Sequence, residues 1–414
     1  MSRETIVLGA GIVGVSVAWH LLKRGRKVRL IDRRAPGLET SYGNAGIIQR
    51  EAVEPYAFPH DLKTLLRVIP NNSIDIRYRP MGMVSAASPL LSYYVNSFPG
   101  RYKKIVPAYA SIISLSTQEH EPMIAASGAE ALIQKKGWLE LYRTESELAE
   151  RWEKALENKR LYGVESRLLN RQQLDEVQPG LSSDICGAVH WLNSWTVESP
   201  GDLVQSYAKA FEQAGGEFIE AELQGLVQQG EGWRVKTSKG DHDAAEVVVA
   251  LGPWSQQMLA PLNYNFPLFV KRGYHMHYAQ PNVKARLNYW LMDAEKGYLL
   301  EPMKNGIRLT TGAELADLNA PPSYGQLEKA EKQGRKLFPF GERVEAEPWK
   351  GARPCLPDMK PVIGPAPKHK GLWFAFGHGH QGFTLGPATG RLLGEMMDGE
   401  TTAIDMKPFR AERF

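Results

Sequence analysis

The first 32 residues consist of two short apolar runs separated by a stretch with helical periodicity. Residues 5–8 form the first apolar run, and residues 27–31 form the second, which ends at Asp32. Between them, from residue 12 onwards, apolar side chains recur at intervals of three and four, which predicts a helix. This helix is predicted to stop at Gly25, since glycine commonly ends helices. The pattern therefore predicts a β-α-β unit at the beginning of the chain.

Three glycines with the spacing G-x-G-x-x-G join the first strand to this helix. In such a junction the first glycine permits a tight turn, the second lets backbone amides approach a pyrophosphate, and the third lets helix and strand pack closely. The helix N-terminus favours negative charge, and Asp32 follows at the distance expected of a carboxylate that binds a ribose. We therefore predict a dinucleotide site. Its predicted contact residues in this unit are Gly9, Gly11, Ile12, Val13, Gly14, Asp32 and Arg33.

Further apolar segments lie in the middle and at the end of the chain. Residues 246–251 are apolar except at the first position and precede Gly252, as expected of a buried parallel strand. A strand over 371–376 is followed by an apolar helix predicted over 387–397. Residues 265–345 alternate more, which predicts a separate antiparallel sheet. Elements of the first sheet thus lie at both ends and in the middle of the chain, and the second sheet is inserted between them.

Two segments are predicted from their prolines and charges. Seven prolines between residues 50 and 110 predict an irregular segment. Residues 110–175 are predicted to be helical, and residues 149–157 carry the mixed charges of an exposed helix. Downstream of them, an amphipathic helix is predicted over 202–214.

Composition narrows the class of protein. Of 414 residues, 43% are hydrophobic and 23% are charged, as in an ordinary globular protein. A net charge of +4 without a basic stripe argues against nucleic acid as a partner. The two cysteines form no Cys/His cluster, so we expect no metal site. The first strand leaves no room for a signal peptide and no apolar run is long enough to span a bilayer, so we expect a cytoplasmic protein.

Four motifs occur in order along nearly the whole chain. They are the glycine motif with Asp32, residues 39–46 (ETSYGNAG), residues 248–255 (VVALGPWS), and residues 351–358 (GARPCLPD) followed by 377–387 (GHGHQGFTLGP). Together they resemble the D-amino-acid oxidase/dehydrogenase superfamily of flavoproteins, and within it the bacterial D-amino-acid dehydrogenases. The resemblance implies non-covalently bound FAD. The further FAD contacts that it implies are Thr40, Ser41, Asn44, Ala45, Gly46, Gly252, Gly379, Gly382, Phe383 and Thr384.

The implied fold class is α/β with antiparallel β. A Rossmann-like FAD-binding domain is interleaved with a substrate domain built on an antiparallel sheet. The FAD-binding domain is assigned to residues 1–85, 195–260 and 350–414, and the substrate domain to residues 86–194 and 261–349. A glycine-rich turn at 382–386 would offer backbone amides to the flavin, whose N1–C2=O region becomes negative on reduction.

The resemblance implies oxidation of a D-amino acid, by hydride transfer to flavin N5, to an imine that water converts to a 2-oxo acid. Arg353 is predicted to bind the substrate carboxylate because a guanidinium binds carboxylates bidentately. The alternative is a structural pair with Asp358. Tyr298 and Tyr274 are predicted to bind the carboxylate or to line the pocket. His380 is predicted to bind the substrate or to accept the amine proton, since histidine titrates near neutrality.

Three other predictions concern the surroundings of the site. His275 and His277 are expected to face opposite sides of their strand, so that one of them reaches the site. Cys355 is interpreted as a packing residue, because sarcosine-oxidase-like relatives carry their tethering cysteine earlier in this motif. Tyr56 is assigned to a lid over the site.

The substrate and the electron acceptor stay open at this point. A cyclic or N-substituted amino acid (D-proline, cis-4-hydroxy-D-proline or sarcosine) is an alternative substrate, because the candidate pocket residues are aromatic. These candidates are Tyr56, Tyr274, Trp290 and Tyr298. A non-catalytic flavin-binding subunit and an NAD-dependent dehydrogenase are alternatives of other classes.

The resemblance implies a quinone or respiratory-chain component, rather than oxygen, as the electron acceptor. The apolar residues 90–98, followed by Arg101, Lys103 and Lys104, are consistent with peripheral contact with the inner face of the membrane. A buried helix with a basic end is the other interpretation of this segment.

Overall fold

A computed structural model describes residues 4–281 and 286–414, and within them the chain forms twenty-two strands and twelve α-helices. Residues 1–3 and 282–285, which belong to the predicted first domain and the predicted antiparallel region, lie outside the described residues. The strands are β1 (Glu4–Leu8), β2 (Lys27–Asp32), β3 (Ile47–Ile48), β4 (Ile76–Tyr78), β5 (Ile133–Gln134), β6 (Trp138–Tyr142), β7 (Ser166–Asn170), β8 (Gly187–Trp191), β9 (Trp195–Val197), β10 (Glu217–Glu220), β11 (Leu223–Gln229), β12 (Gly232–Thr237), β13 (Gly240–Ala244), β14 (Glu246–Val249), β15 (Phe269–Tyr278), β16 (Leu291–Asp293), β17 (Tyr298–Met303), β18 (Gly306–Thr310), β19 (Ala313–Leu315), β20 (Trp349–Cys355), β21 (Val362–Pro365) and β22 (Leu372–Phe376). The helices are α1 (Ile12–Lys23), α2 (Leu62–Val68), α3 (Pro80–Ser85), α4 (Ala87–Asn96), α5 (Pro99–Ser114), α6 (Ser116–Ser127), α7 (Glu145–Tyr162), α8 (Arg171–Val177), α9 (Pro200–Gln213), α10 (Ser255–Leu259), α11 (Gly325–Leu337) and α12 (Gly382–Met397).

A six-stranded sheet in the order β10-β2-β1-β14-β22-β21 carries the predicted β-α-β unit. Its first five strands are parallel, and β21 is antiparallel to β22. Both faces of this sheet are covered, and all four residues of β14 are buried. Because a strand in such a sheet is buried on both faces, its sequence is a continuous apolar run. The predictions for residues 5–32, 246–251 and 371–376 are confirmed.

Helices α1 and α12 pack closely against each other on one face of this sheet. A Cβ atom on Gly386 would lie 2.9 Å from Ile12 Cγ1, so glycine there lets the two helices approach. Helix α12 begins at Gly382 and not at Pro387, so the predicted turn is the first part of the helix itself. Pro387 fits inside the helix because the carbonyl of Phe383, which has no partner at Pro387 N, hydrogen-bonds with Nε2 of His120 (2.9 Å).

The second layer is a ten-stranded sheet in the order β4-β19-β15-β18-β17-β16-β6-β8-β7, with β20 paired to β15. Most neighbours are antiparallel, as the alternation predicted, whereas β16 with β6 and β19 with β4 are parallel. Along β15, Tyr274, Met276 and Tyr278 belong to a buried core on one face. The other face of this strand carries Lys271 and Gly273, which line the cavity described below.

The proline-rich region contains no helix or strand over residues 50–61, as predicted, but is largely helical from residue 62 onwards, which corrects the rest of the predicted irregular segment. Pro80 and Pro99 stand in the first turns of α3 and α5, where a missing N–H removes no intrahelical hydrogen bond. The predicted helical region 110–175 is interrupted by strands β5, β6 and β7. All five residues of β6 are buried, and a short run buried on all sides shows no period that separates strand from helix.

Sheet membership cuts across the assigned domain segments at three places. Strands β4 and β20 lie in segments assigned to the FAD-binding domain, yet they pair within the large sheet. Helices α5 and α6 lie in a segment assigned to the substrate domain, yet they pack against α12. The domain boundaries stay a prediction.

Candidate functional site

One large cavity, of about 1010 Å³, is lined by residues from both sheets and by the first turns of α1 and α12. Pockets for drug-sized molecules have volumes of roughly 300–1,000 Å³, so this cavity has room for an elongated ligand. Each of the four sequence motifs contributes residues to its wall.

The glycine motif shapes the turn ahead of α1. Gly9 has φ +103°, and a Cβ atom there would lie 2.5 Å from the carbonyl oxygen of Ala250. A Cβ atom on Gly14 would lie 1.7 Å from the carbonyl oxygen of Gly9. Only glycine therefore fits at these two positions. Gly11 lines the cavity, so a phosphate can approach the start of the helix there.

Asp32 is held at the end of β2 by backbone amides. Its carboxylate accepts hydrogen bonds from the amide of Ala10 (2.6 Å) and the amide of Arg34 (3.3 Å). Burial raises the pKa of Asp32, and these two hydrogen bonds act in the opposite direction. Asp32 and Arg33 both line the cavity.

The structure brings most of the predicted cofactor residues together. Those that line the cavity are Gly11, Ile12, Val13, Asp32, Arg33, Thr40, Ser41, Asn44, Ala45, Gly252, Gly379, Gly382 and Phe383. Gly9, Gly14, Gly46 and Thr384 lie behind the wall. Gly46 has φ +70°, and the Thr384 hydroxyl accepts a hydrogen bond from the Gln49 amide (3.2 Å). These four residues support the backbone of the wall, and their predicted contact with FAD stays a prediction.

A second helix N-terminus, that of α12, faces the cavity. The first hydrogen bond within the helix is donated by the Leu385 amide to the Gln381 carbonyl (2.8 Å). The amides of Gly382, Phe383 and Thr384 precede this bond, and the first two of these residues line the cavity. A helix start favours negative charge nearby, as a reduced flavin would carry. The cavity, the glycine turn, Asp32 and this helix start together fit FAD.

Arg353 borders the cavity from β20. Its Nη1 donates to the carbonyl of Gly312 (3.0 Å) and its Nη2 to the carbonyl of Thr311 (3.5 Å). The alternative partner, Asp358, instead pairs with Arg413 (2.7 Å). None of the ion pairs among residues 4–281 and 286–414 includes Arg353, and burial lowers the pKa of its guanidinium. A cation in this setting has a strong affinity for an anion.

Neither predicted tyrosine presents its hydroxyl to the cavity. Tyr274 borders the cavity, but its hydroxyl donates a hydrogen bond to the carboxylate of Glu314 (2.5 Å) and accepts one from Nη2 of Arg272 (3.0 Å). Tyr298 is fully buried outside the cavity wall, and burial followed by the charge of Asp293 raises its pKa. Successive side chains in a strand point to opposite faces, and the cavity lies on the face opposite these two hydroxyls. Tyr274 therefore lines the pocket, which is one of its two predicted roles, and binding of the carboxylate by either hydroxyl stays a prediction.

Two of the four aromatic pocket candidates are absent from the wall. Tyr56 and Tyr274 line the cavity, whereas Tyr298 does not and Trp290 instead donates from Nε1 to the carbonyl of Ala45 (2.8 Å). Trp290 thus supports the loop of residues 39–46 from behind the wall.

His380 lines the cavity close to Arg353. Its ring centroid is 4.9 Å from that of Tyr56, and its Nε2 is 3.0 Å from the side-chain amide of Gln381. Burial lowers the pKa of His380 to about 3, and the charges of Arg353 and Lys271 act in the same direction. An imidazole that stays neutral at pH 7 is a weak base, so this setting favours hydrogen bonding over acceptance of the amine proton.

The prediction that His275 and His277 face opposite sides is wrong. Their ring centroids are 5.2 Å apart, because residues two apart in a strand share a face. Neither lines the cavity: His275 stacks on Trp349 (4.8 Å between centroids), and Nδ1 of His277 lies 2.5 Å from a carboxylate oxygen of Glu345. Trp349 does line the cavity, and the sequence analysis missed it.

Lys271 is a second lining residue that the sequence analysis missed. It lies on β15 directly opposite Arg353 on β20. The available signal was the alternation of side chains along residues 269–278. It places Lys271 on the same strand face as Gly273, which also lines the cavity. The pairing with Arg353 has no signature in the sequence.

Cys355 lines the cavity as a free thiol. Burial raises its pKa, which keeps the thiol protonated at neutral pH. A thiolate is the reactive form of cysteine, so this setting agrees with a cofactor that is not tethered through sulfur.

Comparisons with known proteins agree with the geometry. The family model described as FAD dependent oxidoreductase (DAO) matches residues 4–396. A D-amino acid dehydrogenase from Cereibacter sphaeroides is 30% identical over 421 residues, which cover 99% of this chain and 95% of that protein. A D-amino-acid oxidase from Bradyrhizobium diazoefficiens is 28% identical over 427 residues, which cover 100% and 99%. The crystal structure of L-proline dehydrogenase from P. horikoshii shares the fold, with a TM-score of 0.76 over 100% of this chain and 98% of that chain at 19% identity.

Proposed function

This chain belongs to the FAD dependent oxidoreductase family, and from that premise we propose that it oxidises a D-amino acid at the carbon that bears the amine. Its cofactor is FAD, which accepts a hydride when bound. The observation that carries the proposal is Arg353, a cation that forms no ion pair with the described residues, in the wall of the cavity that fits FAD. An α-carboxylate is the anion that such a site would bind.

Arg353 positions the substrate. The carbonyls of Gly312 and Thr311 hold its guanidinium in place before the substrate arrives, so little ordering remains to be done on binding. With the carboxylate bound, the neutral imidazole of His380 lies within the same wall and is available to hydrogen-bond the amine.

The reaction balances with water and with bound FAD, which would take up the hydride and pass its two electrons on to the electron acceptor. The α-carbon loses a hydride and the uncharged amine loses a proton, which leaves an imine. Water then converts the imine to a 2-oxo acid and ammonium.

A cyclic or N-substituted amino acid is the second candidate substrate. Tyr56 and Tyr93 line the cavity near Arg353 and His380, and aromatic walls suit a small ring or an uncharged side chain. The chemistry is the same, because a secondary amine also loses a hydride from carbon and a proton from nitrogen. D-Proline, its 4-hydroxy derivative and sarcosine represent this class.

The test is an anaerobic absorbance scan of the purified protein with a panel of D-, L- and cyclic amino acids. We expect a yellow protein whose absorbance band at about 450 nm is bleached by members of the D or cyclic sets and not by L-amino acids. A yellow protein that no substrate bleaches would favour a non-catalytic subunit. A colourless protein that takes up no flavin would overturn the proposal itself.

We also propose that the electrons pass to a quinone at an anionic membrane surface. None of the helices in the described ranges is long and apolar enough to cross a membrane. Large apolar side chains are nevertheless exposed on α3 and α4, where Met81 is 73% and Leu91 65% accessible. The exposed basic residues Arg101, Lys103 and Lys104 follow at the start of α5. Apolar side chains beside basic ones suit a surface of anionic lipid.

The surface is tested by flotation of the protein with lipid vesicles. We expect co-flotation with anionic vesicles and little with zwitterionic ones, and we expect added salt to weaken it. Replacement of Met81 and Leu91 by serine should abolish flotation and leave turnover with an artificial electron acceptor unchanged. Equal flotation of the wild type and this variant would contradict the proposal.

A further inference from the structure

The wall of the cavity carries a second cation, Lys271, with no carboxylate beside it. Its ammonium lies 3.2 Å from the hydroxyl of Tyr93 and 4.3 Å from the centroid of that ring. Within residues 4–281 and 286–414, no ion pair includes Lys271. The next residue, Arg272, lies on the opposite face and pairs with Glu314 (2.5 Å). Of two adjacent cations, the one that faces the core is neutralised and the one that faces the cavity is not.

Lys271 and Arg353 are direct neighbours across the β15–β20 pair. Residues opposite each other in an antiparallel pair share a face, with Cβ atoms about 4.5–5.5 Å apart, and like charges in this position destabilise the sheet. Both side chains line the cavity. Both also lower the pKa of His380, which shows that they act on the same region of the wall. Two adjacent cations there suit a ligand with two separate oxygen-bearing groups.

We propose that Lys271 selects substrates that carry an oxygen on the side chain or ring, as a hydroxyl or a carboxylate. The proposal rests on the proposed function, because it assigns the α-carboxylate to Arg353. An ammonium has three N–H donors and no acceptor, so it binds such an oxygen and repels a cationic side chain. Tyr93, whose hydroxyl donates to the Tyr56 carbonyl (2.5 Å), holds the ammonium at the wall until the substrate arrives.

The experiment compares matched substrates in the FAD-loaded enzyme. D-Proline with cis-4-hydroxy-D-proline tests a hydroxyl, and D-norvaline with D-glutamate tests a carboxylate. We expect the wild type to prefer the oxygen-bearing member of at least one pair, and which pair responds identifies the group. In Lys271→Met, kcat/KM for that member should fall by about 10- to 100-fold, while the member without the oxygen changes by less than about threefold.

Two further variants make the result specific to the ammonium. Lys271→Arg retains a donor cation and should keep most of the preference. Lys350→Met removes a lysine from β20 that is exposed and outside the cavity wall, so the preference should be unchanged. If Lys271→Met fails to fold, the substrate preferences of the wild type and of Lys271→Arg still test the proposal.

Two outcomes would overturn the proposal. One is a wild type that shows no preference within either pair. The other is an equal loss for both members in Lys271→Met, which would mean that Lys271 helps Arg353 to hold the α-carboxylate. If none of these substrates reduces the flavin at all, the proposed function fails, and this result is distinct from oxidation without preference.

Discussion

Arg353→Met should lower kcat/KM for amino acids by about 10²- to 10⁴-fold while FAD stays bound. The range corresponds to the free energy that is lost when one partner of a buried, hydrogen-bonded charge pair is removed. Methionine keeps the bulk of the side chain but cannot bind a carboxylate. Steady-state kinetics with the best substrate of the panel, together with the flavin absorbance of each preparation, provides the measurement.

Three comparisons make this prediction specific. Arg353→Lys should restore only part of the activity, because an ammonium lacks the planar pair of donors. Arg410→Met removes an exposed arginine outside the cavity wall and should change nothing. For an amine that lacks the carboxylate, the wild type and Arg353→Met should be equally slow. An unchanged KM for the amino acid in Arg353→Met would remove Arg353 from the anchoring role.

Gly14→Ala should strip the protein of FAD. The added Cβ atom would lie 1.7 Å from the carbonyl oxygen of Gly9, so the turn or the helix must move away from its position. Displacement of a packed backbone costs about 1–3 kcal/mol or more, which corresponds to a loss of FAD affinity of roughly 10- to 100-fold. The ratio of flavin to protein absorbance after gel filtration measures the loss.

A second glycine variant separates loss of FAD from loss of the fold. A Cβ atom on Gly11 would approach only the Ser41 hydroxyl (3.3 Å), so Gly11→Ala should keep its melting temperature and still lose FAD. Gly100→Ala is the control, since nothing lies within 4 Å of its added Cβ atom. If Gly14→Ala retained a full complement of FAD, the assignment of this turn to the cofactor would be overturned.

The cofactor half of the site was largely predictable, because its signals are local. Residues 5–32 contain a strand, a glycine turn, a helix and an acid whose spacings reflect contacts within one continuous segment. A position that needs a positive φ, as at Gly9, or a close approach of backbone atoms, as at Gly14, requires glycine and can therefore be recognised from the sequence. Most residues of the other three motifs also line the cavity, because each motif forms one short stretch of its wall.

The substrate half was less predictable, because it depends on which face a strand presents. Tyr274 and Tyr298 were plausible by residue type, yet the strand pleat directs their hydroxyls away from the cavity. The same pleat turns Lys271 toward it. A shift of one residue exchanges the two faces of a strand, and alternation alone does not tell which of two buried faces meets the ligand.

The β-α-β unit, the glycine turn and the family of the chain can be recognised from the amino-acid sequence, since they follow from spacings within short segments. The pairing of Asp358 with Arg413, which leaves Arg353 outside any ion pair with the described residues, became visible only in the folded chain. The tertiary structure also decided that Lys271 stands opposite Arg353, a residue 82 positions further along the chain. Such pairs are set by strand register between distant segments, and register arises from the packing of the whole sheet.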